Sequence, residues 1–210
     1  MSKLRYEIKL MGEVFFVPFI VLIMVLLYSF LVRNNEYNIE LSFSVFQNII
    51  PLFGGWWSIF SLSEYVCEEC GELYYTYNIS KNRLGLFKNL ICFVVYILLS
   101  FIILILSMKV IGYIEYKMVL QIILMQALLY NSISFLALNI TKDTGWTIFV
   151  IISLLVSVYF TEGNILGRLN YYIPNYMALD KEVVLSISVK IILISIILYG
   201  IGSSLFKRKA

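Results

Sequence analysis

Long runs of apolar residues dominate the chain, and short polar stretches separate them. A helix needs about 20 mostly apolar residues to cross the hydrocarbon core of a bilayer, at a rise of about 1.5 Å per residue. Six runs approach that length, and the fifth is the shortest. The predicted membrane spans are residues 14–32, 43–63, 90–107, 118–140, 145–160 and 183–206. The pattern predicts an all-α membrane protein with about six transmembrane helices.

The composition agrees with this prediction. Of the 210 residues, 61% are hydrophobic and 14% are charged, whereas a soluble domain has roughly 25% charged residues. The length fits one transmembrane domain over residues 1–210. A net charge of +3 gives no sign of a nucleic-acid partner.

The distribution of Lys and Arg predicts the orientation. Ten basic residues fall in the two terminal tails and in the second and fourth connections, against five in the other connections. Basic residues concentrate on the cytoplasmic side. Both termini are therefore predicted to be cytoplasmic, in a multi-pass protein of the cell membrane.

The absence of histidine limits the chemistry. It excludes HExxH metalloproteases, Ser–His hydrolases and His proton relays. Cys67 and Cys70 have CxxC spacing, but a zinc site normally needs four ligands and the third cysteine, Cys92, falls in a predicted span. We therefore predict no metal site, no catalytic residue and no enzymatic activity in this chain.

Residues 1–13 have an amphipathic pattern. Leu4, Ile8 and Met11 recur at helical spacing among Lys and Arg residues, which favours a helix in the interface plane. A frayed basic anchor is the alternative.

Residues 64–89 form the longest predicted cytoplasmic connection. Glu64, Glu68 and Glu72 fall on one helical face, with Glu69 beside them. Like charges at this spacing repel, so the acidic face predicts a cationic protein partner. A solvated connector is the alternative. Residues 161–182 form an aromatic external connection that we expect to re-enter the membrane, because Tyr favours the headgroup level.

Several features in order resemble the permease subunits of type-2 ATP-binding-cassette exporters. They are the amphipathic N-terminal helix, a second span with Pro51 and Gly54, the cytoplasmic connection, an external segment with Pro174, and a basic C-terminus. Within the connection, Glu68, Gly71, Ile79-Ser80-Lys81 and Lys88 follow the order typical of that family. The family usually has Pro at Ile79 and Thr at Glu72.

The resemblance implies a coupling helix that docks on an ATPase. The residues implied in this contact are Glu64, Glu68, Glu69, Gly71, Glu72, Leu73, Tyr74 and Tyr77. The ATPase is expected to be a separate polypeptide that binds ATP and Mg²⁺, because this chain lacks a GxxxxGK[ST] loop. The resemblance also implies a second permease copy, identical or related, and an amphipathic peptide, drug or lipid-like substrate. The compartment would be the bacterial cytoplasmic membrane.

Three polar residues inside predicted spans are candidate pathway or substrate contacts: Lys190, Asn131 and Ser134. Lys190 lies roughly 10 Å into the sixth predicted span. One expectation is a contact with an anionic substrate or lipid headgroup. The other is that its side chain extends outward to the interface or pairs with Glu162 or Glu182. Polar residues such as Asn131 also bond between helices. We further expect Trp56 and Trp57 to be interfacial anchors.

Two functions other than export are consistent with a membrane protein of this kind. An intramembrane Glu-based protease is disfavoured by the lack of His. A non-transport accessory or bacteriocin-immunity protein that acts by protein contact stays open, and copurification of an ATPase distinguishes it from an exporter subunit.

Overall fold

The computed structural model describes residues 11–33, 38–66, 83–112, 116–173 and 180–208. Throughout these ranges the chain forms helices and connecting turns, without a strand. The helices are α1 Val17–Val32, α2 Asn38–Leu52, α3 Trp56–Val66, α4 Lys88–Ile111, α5 Tyr116–Thr141, α6 Thr144–Phe160 and α7 Lys181–Arg208. Short 3-10 segments cover Gly12–Phe16, Phe53–Gly55 and Asn164–Leu169, and a π-helical turn covers Arg83–Phe87. The prediction of an all-α chain is confirmed for these residues. The predicted interfacial helix over residues 1–13 lies almost wholly outside them.

Among the residues that the structure describes, four helices are long and apolar enough to cross a membrane: Gly12–Val32, Gly85–Ile111, Tyr116–Thr141 and Lys181–Phe206. They correspond to the first, third, fourth and sixth predicted spans. The second predicted span is two helices, α2 and α3, joined by the 3-10 turn. The fifth is the 17-residue α6, which at about 25 Å is shorter than a hydrocarbon core of about 30 Å. A total of six spans therefore stays a prediction, as does the orientation.

Helix α5 forms the centre of the bundle. Its most apolar stretch is 61% buried, whereas those of the other three long helices are 22–28% buried. Small and polar residues such as Ala127 and Ser134 allow neighbouring helices to approach closely. Helices α2, α3, α4, α6 and α7 all contact it, and α7 packs against it most extensively.

The start of the first helix is held by two tryptophan indoles. Pro18 has no N–H to donate to the Val14 carbonyl four residues earlier. That oxygen accepts from the Val17 N–H and from the Trp56 Nε1–H, at 3.1 Å. The Trp57 Nε1–H donates to the Phe15 carbonyl at 2.9 Å, and its ring stacks on the Phe15 ring at a centroid distance of 5.4 Å. Trp57 is 4% exposed, so the expectation of an interfacial anchor is wrong for this residue.

The break between α2 and α3 lies against α5. Pro51 weakens the end of α2, and the Tyr96 hydroxyl donates to the Ile50 carbonyl at 2.6 Å. A Cβ at Gly55 would lie 2.0 Å from Ser134 Oγ, and one at Gly54 would lie 2.7 Å from the Ala127 carbonyl oxygen. Only glycine fits at this crossing, because any side chain would collide with α5.

Candidate functional site

Most of the predicted coupling residues lie outside the described part of the chain. Glu68, Glu69, Gly71, Glu72, Leu73, Tyr74 and Tyr77 all fall within residues 67–82. Glu64 is described, and it lies half-buried in the last turn of α3. The role of these residues stays a prediction.

Helices α3 and α4 precede and follow this segment. The C-terminal end of α3 contacts the N-terminal end of α4. Lys88 Nζ donates to the Ser61 carbonyl at 2.9 Å and lies 4.3 Å from the centroid of the Tyr65 ring. Ser61 Oγ also lies 3.6 Å from Cys92 Sγ. These contacts pair the C-terminal turns of α3 with the N-terminal turns of α4. The C-terminus of α3 and the N-terminus of α4 therefore lie at the same end of the bundle.

A cluster of buried polar side chains lies near this end, and we call it the inner cluster. It consists of Ser58 on α3, Asn89 on α4, Asn131 on α5 and Tyr199 on α7, together with the Gly54 carbonyl. Ser58, Asn89 and Asn131 are each at most 1% exposed. Each of the four side chains comes from a different helix, so the cluster joins α3, α4, α5 and α7.

Asn131 is the hub of the inner cluster. Its Nδ2 donates to the Gly54 carbonyl at 3.0 Å and to Ser58 Oγ at 2.8 Å. Its Oδ1 accepts from Asn89 Nδ2 at 2.8 Å and from the Tyr199 hydroxyl at 2.5 Å. Both amide protons and both acceptor positions are thus used, and Asn131 bonds between helices.

Ser134 is likewise enclosed. Its Oγ donates to the Tyr130 carbonyl at 2.6 Å, and its side chain lies where Gly55 crosses α5. In this conformation neither Asn131 nor Ser134 is exposed, so a pathway role for either residue stays a prediction that requires another conformation.

A second set of buried polar groups lies toward the opposite end, and we call it the outer cluster. It consists of Gln47 on α2, Gln126 and Tyr130 on α5, and the non-helical segment 171–173. With the Gln47 amide oriented to satisfy its hydrogen bonds, its nitrogen donates to the Ile173 carbonyl at 2.8 Å, and its oxygen accepts from the Ile173 N–H at 2.9 Å. Gln126 Nε2 donates to the Tyr171 carbonyl at 2.8 Å. Two glutamines therefore satisfy backbone groups that no helix or strand satisfies.

The turn after α6 returns the chain into the bundle. Gly163 has a φ of 79°, which favours glycine, and a Cβ there would lie 2.0 Å from Asn170 Oδ1. The same Asn170 oxygen accepts from the Tyr172 N–H at 2.8 Å. Gln126 lies ten residues after the first residue of α5, so segment 171–173 meets α5 about 15 Å along its axis. Tyr171 and Ile173 are 5% and 3% exposed.

Lys190 differs from the other candidates because it is exposed. It lies in the first half of α7, on the surface of the bundle, and belongs to neither cluster. The next residue along the chain, Ile191, is fully buried.

Sequence patterns did not single out Gln47, Asn89 and Tyr199. The available signal at Gln47 was an amide side chain inside an apolar run, and the same signal indicates Asn131. The partners could not be inferred, because Gln47 and Ile173 are separated by most of the chain.

Comparisons with family models, with curated proteins and with solved structures find no match to the chain.

Proposed function

We propose that this chain is the transmembrane subunit of an ATP-driven exporter in the bacterial cytoplasmic membrane. It pairs with a second permease copy and couples to a separate ATPase through residues 64–77. In this proposal the chain crosses the membrane six times, with α2 and α3 forming one broken pass and both termini cytoplasmic. The substrate class is an amphipathic peptide, drug or lipid-like molecule.

The observation that supports this proposal best is the course of segment 171–173. It lies between the fifth and sixth passes of the proposed topology, where the Tyr-rich sequence predicts a re-entrant external segment and the resemblance includes an external segment with Pro174. Its buried backbone is held by Gln47 and Gln126. Non-helical backbone at membrane depth is tolerated only where protein or a water-filled cavity surrounds it.

The contacts around residues 67–82 give the proposal a mechanism. A partner that pulls on this segment pulls on α3 and α4, which Lys88 and Ser61 hold together. Asn131 links Ser58 and Asn89 of these two helices to α5, and Tyr199 extends the link to α7. Movement imposed at one end of the bundle would therefore reach the central helix through side chains already in contact.

Copurification tests the proposal. The tagged chain is extracted in mild detergent, beside a variant with Glu68→Lys, Glu69→Lys and Glu72→Lys. The matched control carries Glu40→Lys, Glu162→Lys and Glu182→Lys, three exposed acidic residues outside the coupling segment. We expect an ATPase with a phosphate loop to copurify with the native chain and the control, and to be lost from the first variant.

The other outcomes separate the hypotheses. If the ATPase is retained by the variant reversed at Glu68, Glu69 and Glu72, the coupling assignment is wrong. If no ATPase appears in any sample, the exporter proposal fails, and the accessory-protein hypothesis takes its place.

A further inference from the structure

On an exposed face of α7, Lys190 lies among apolar side chains. Val183, Leu193 and Ile197 share this face with Lys190, and they are 41%, 58% and 61% exposed. Ser186, one turn before Lys190, is also exposed. In a helix that is apolar and long enough to span a bilayer, such a face meets lipid chains.

The position of Lys190 along α7 places its charge near the headgroup level. The 28 residues of α7 extend about 42 Å, which exceeds a hydrocarbon core of about 30 Å by about 12 Å. Lys190 lies nine residues after Lys181, or about 13 Å along the axis. If the excess length is shared between the two ends, its Cα lies about 7 Å below the hydrocarbon boundary, and the lysine stem of about 6 Å spans most of that depth.

A cation at this depth requires an anion. Among the described residues Lys190 has no hydrogen bond or ion pair within the chain. Glu182, on the same helical face, lies two turns away, or about 12 Å along the axis, beyond the reach of a salt bridge. Lipid phosphates are the anions found at the boundary that the ammonium group reaches, and an ammonium group binds phosphate as a point charge.

We propose that Lys190, with Ser186 as a second hydrogen-bond donor, binds the phosphate group of an anionic membrane lipid on the surface of α7. The apolar side chains of Val183, Leu193 and Ile197 contact the acyl chains of the same lipid. The site is independent of the proposed export function, and because both leaflets contain phosphates it is independent of the orientation of the chain.

Native mass spectrometry of the full chain in neutral detergent micelles tests this site. The probes are phosphatidylglycerol and phosphatidylcholine with identical acyl chains. The variants are Lys190→Met, Lys190→Arg and, as a matched control at the exposed start of the same helix, Lys181→Met. Met is apolar and suits a lipid-facing position, so Lys190→Met is expected to fold.

We expect phosphatidylglycerol to bind Lys190→Met about tenfold more weakly than the native chain, as loss of one charge-assisted contact predicts. Lys190→Arg and Lys181→Met should keep native affinity, and phosphatidylcholine binding should change little in any variant. Inorganic phosphate at the lipid concentration should not displace phosphatidylglycerol, because it lacks the acyl chains.

Three results would overturn the proposal. The first is phosphatidylglycerol affinity in Lys190→Met within twofold of the native value. The second is displacement by inorganic phosphate, which would make the site one for free phosphate. The third is a change of oligomeric state in Lys190→Met with unchanged lipid binding, which would assign Lys190 to a contact with a second copy of the chain.

Discussion

The inner and outer clusters use the same side-chain chemistry for different purposes. In the inner cluster, Asn131 bonds to side chains and one carbonyl of neighbouring helices. In the outer cluster, Gln47 and Gln126 bond to the backbone of a segment that is not helical. Both clusters are built on α5, where Gln126 and Asn131 are five residues apart.

This difference separates two ways to use an amide inside a membrane domain. An amide between helices strengthens a packing that apolar contacts already favour. An amide that bonds to non-helical backbone allows that backbone to be buried, because an unsatisfied N–H or C=O in hydrocarbon is costly. Removing the first should weaken the whole bundle, whereas removing the second should release one segment.

The largest effect is expected at the glycine crossing beside the inner cluster. Gly55→Ala places a Cβ 2.0 Å from Ser134 Oγ, and relief requires α3 to move away from α5. We expect a loss of about 3 kcal/mol in the free energy of unfolding, measured by thermal or denaturant unfolding in micelles.

Gly200→Ala is the matched control for this substitution. A Cβ at Gly200 meets nothing within 4 Å, so it should be neutral or slightly stabilising, since Ala is the better helix former. The double variant Gly55→Ala with Ser134→Gly should recover part of the loss. Equal effects of Gly55→Ala and Gly200→Ala would show that the crossing is not tight.

The next largest effect is expected for the hub itself. Asn131→Leu removes three hydrogen bonds that join α3, α4 and α7 to α5 and a fourth to the 3-10 turn at Gly54, and it leaves polar groups buried without partners. We expect a loss of about 2–3 kcal/mol in the free energy of unfolding, measured as a lower global unfolding temperature. The relative hydrogen-exchange rates of the different segments should stay unchanged.

A local effect is expected in the outer cluster. Gln47→Leu leaves the N–H and C=O of Ile173 unsatisfied, at about 2 kcal/mol. Hydrogen exchange in residues 164–173 should accelerate by more than tenfold, while exchange in α5 and α7 changes little. If hydrogen exchange accelerates equally in residues 164–173 and in α5 and α7, the outer cluster also stabilises the whole bundle, and the proposed difference between the two clusters is wrong.

The smallest effect is expected for Tyr199→Phe. It removes one donor to Asn131 Oδ1, an oxygen that still accepts from Asn89. We expect about 0.5–1 kcal/mol of global destabilisation, and in the background of Asn131→Leu the same substitution should have almost no effect. A full effect in that background would show that the hydroxyl acts through another partner.

The long apolar helices could be predicted from sequence because length and hydropathy determine them directly. The predicted span 90–107 lies within α4, which extends to Lys88 and Ile111 at its ends, where polar residues made the boundary ambiguous. Burial of Trp57 could not be predicted, since an indole in an apolar run is equally typical of an interfacial anchor.

The clusters were only partly predictable. The sequence identified Asn131 as a polar residue in a span, and it placed Pro51 and Gly54 within the second span without predicting a break there. That these features meet depends on how α3 crosses α5. The pairing of Gln47 with Ile173 depends in addition on the turn at Gly163, which only the folded chain brings into place.

The indole bonds at the start of α1 have a consequence for biosynthesis. The Phe15 carbonyl receives its donor from Trp57, which leaves the ribosome about 40 residues later, or several seconds at about 5–20 residues per second. Until then water or a lipid headgroup must donate to this carbonyl. The start of the first helix therefore completes its hydrogen bonding only when Trp57 of α3 has packed against it, so we expect α1, α2 and α3 to leave the translocation machinery together.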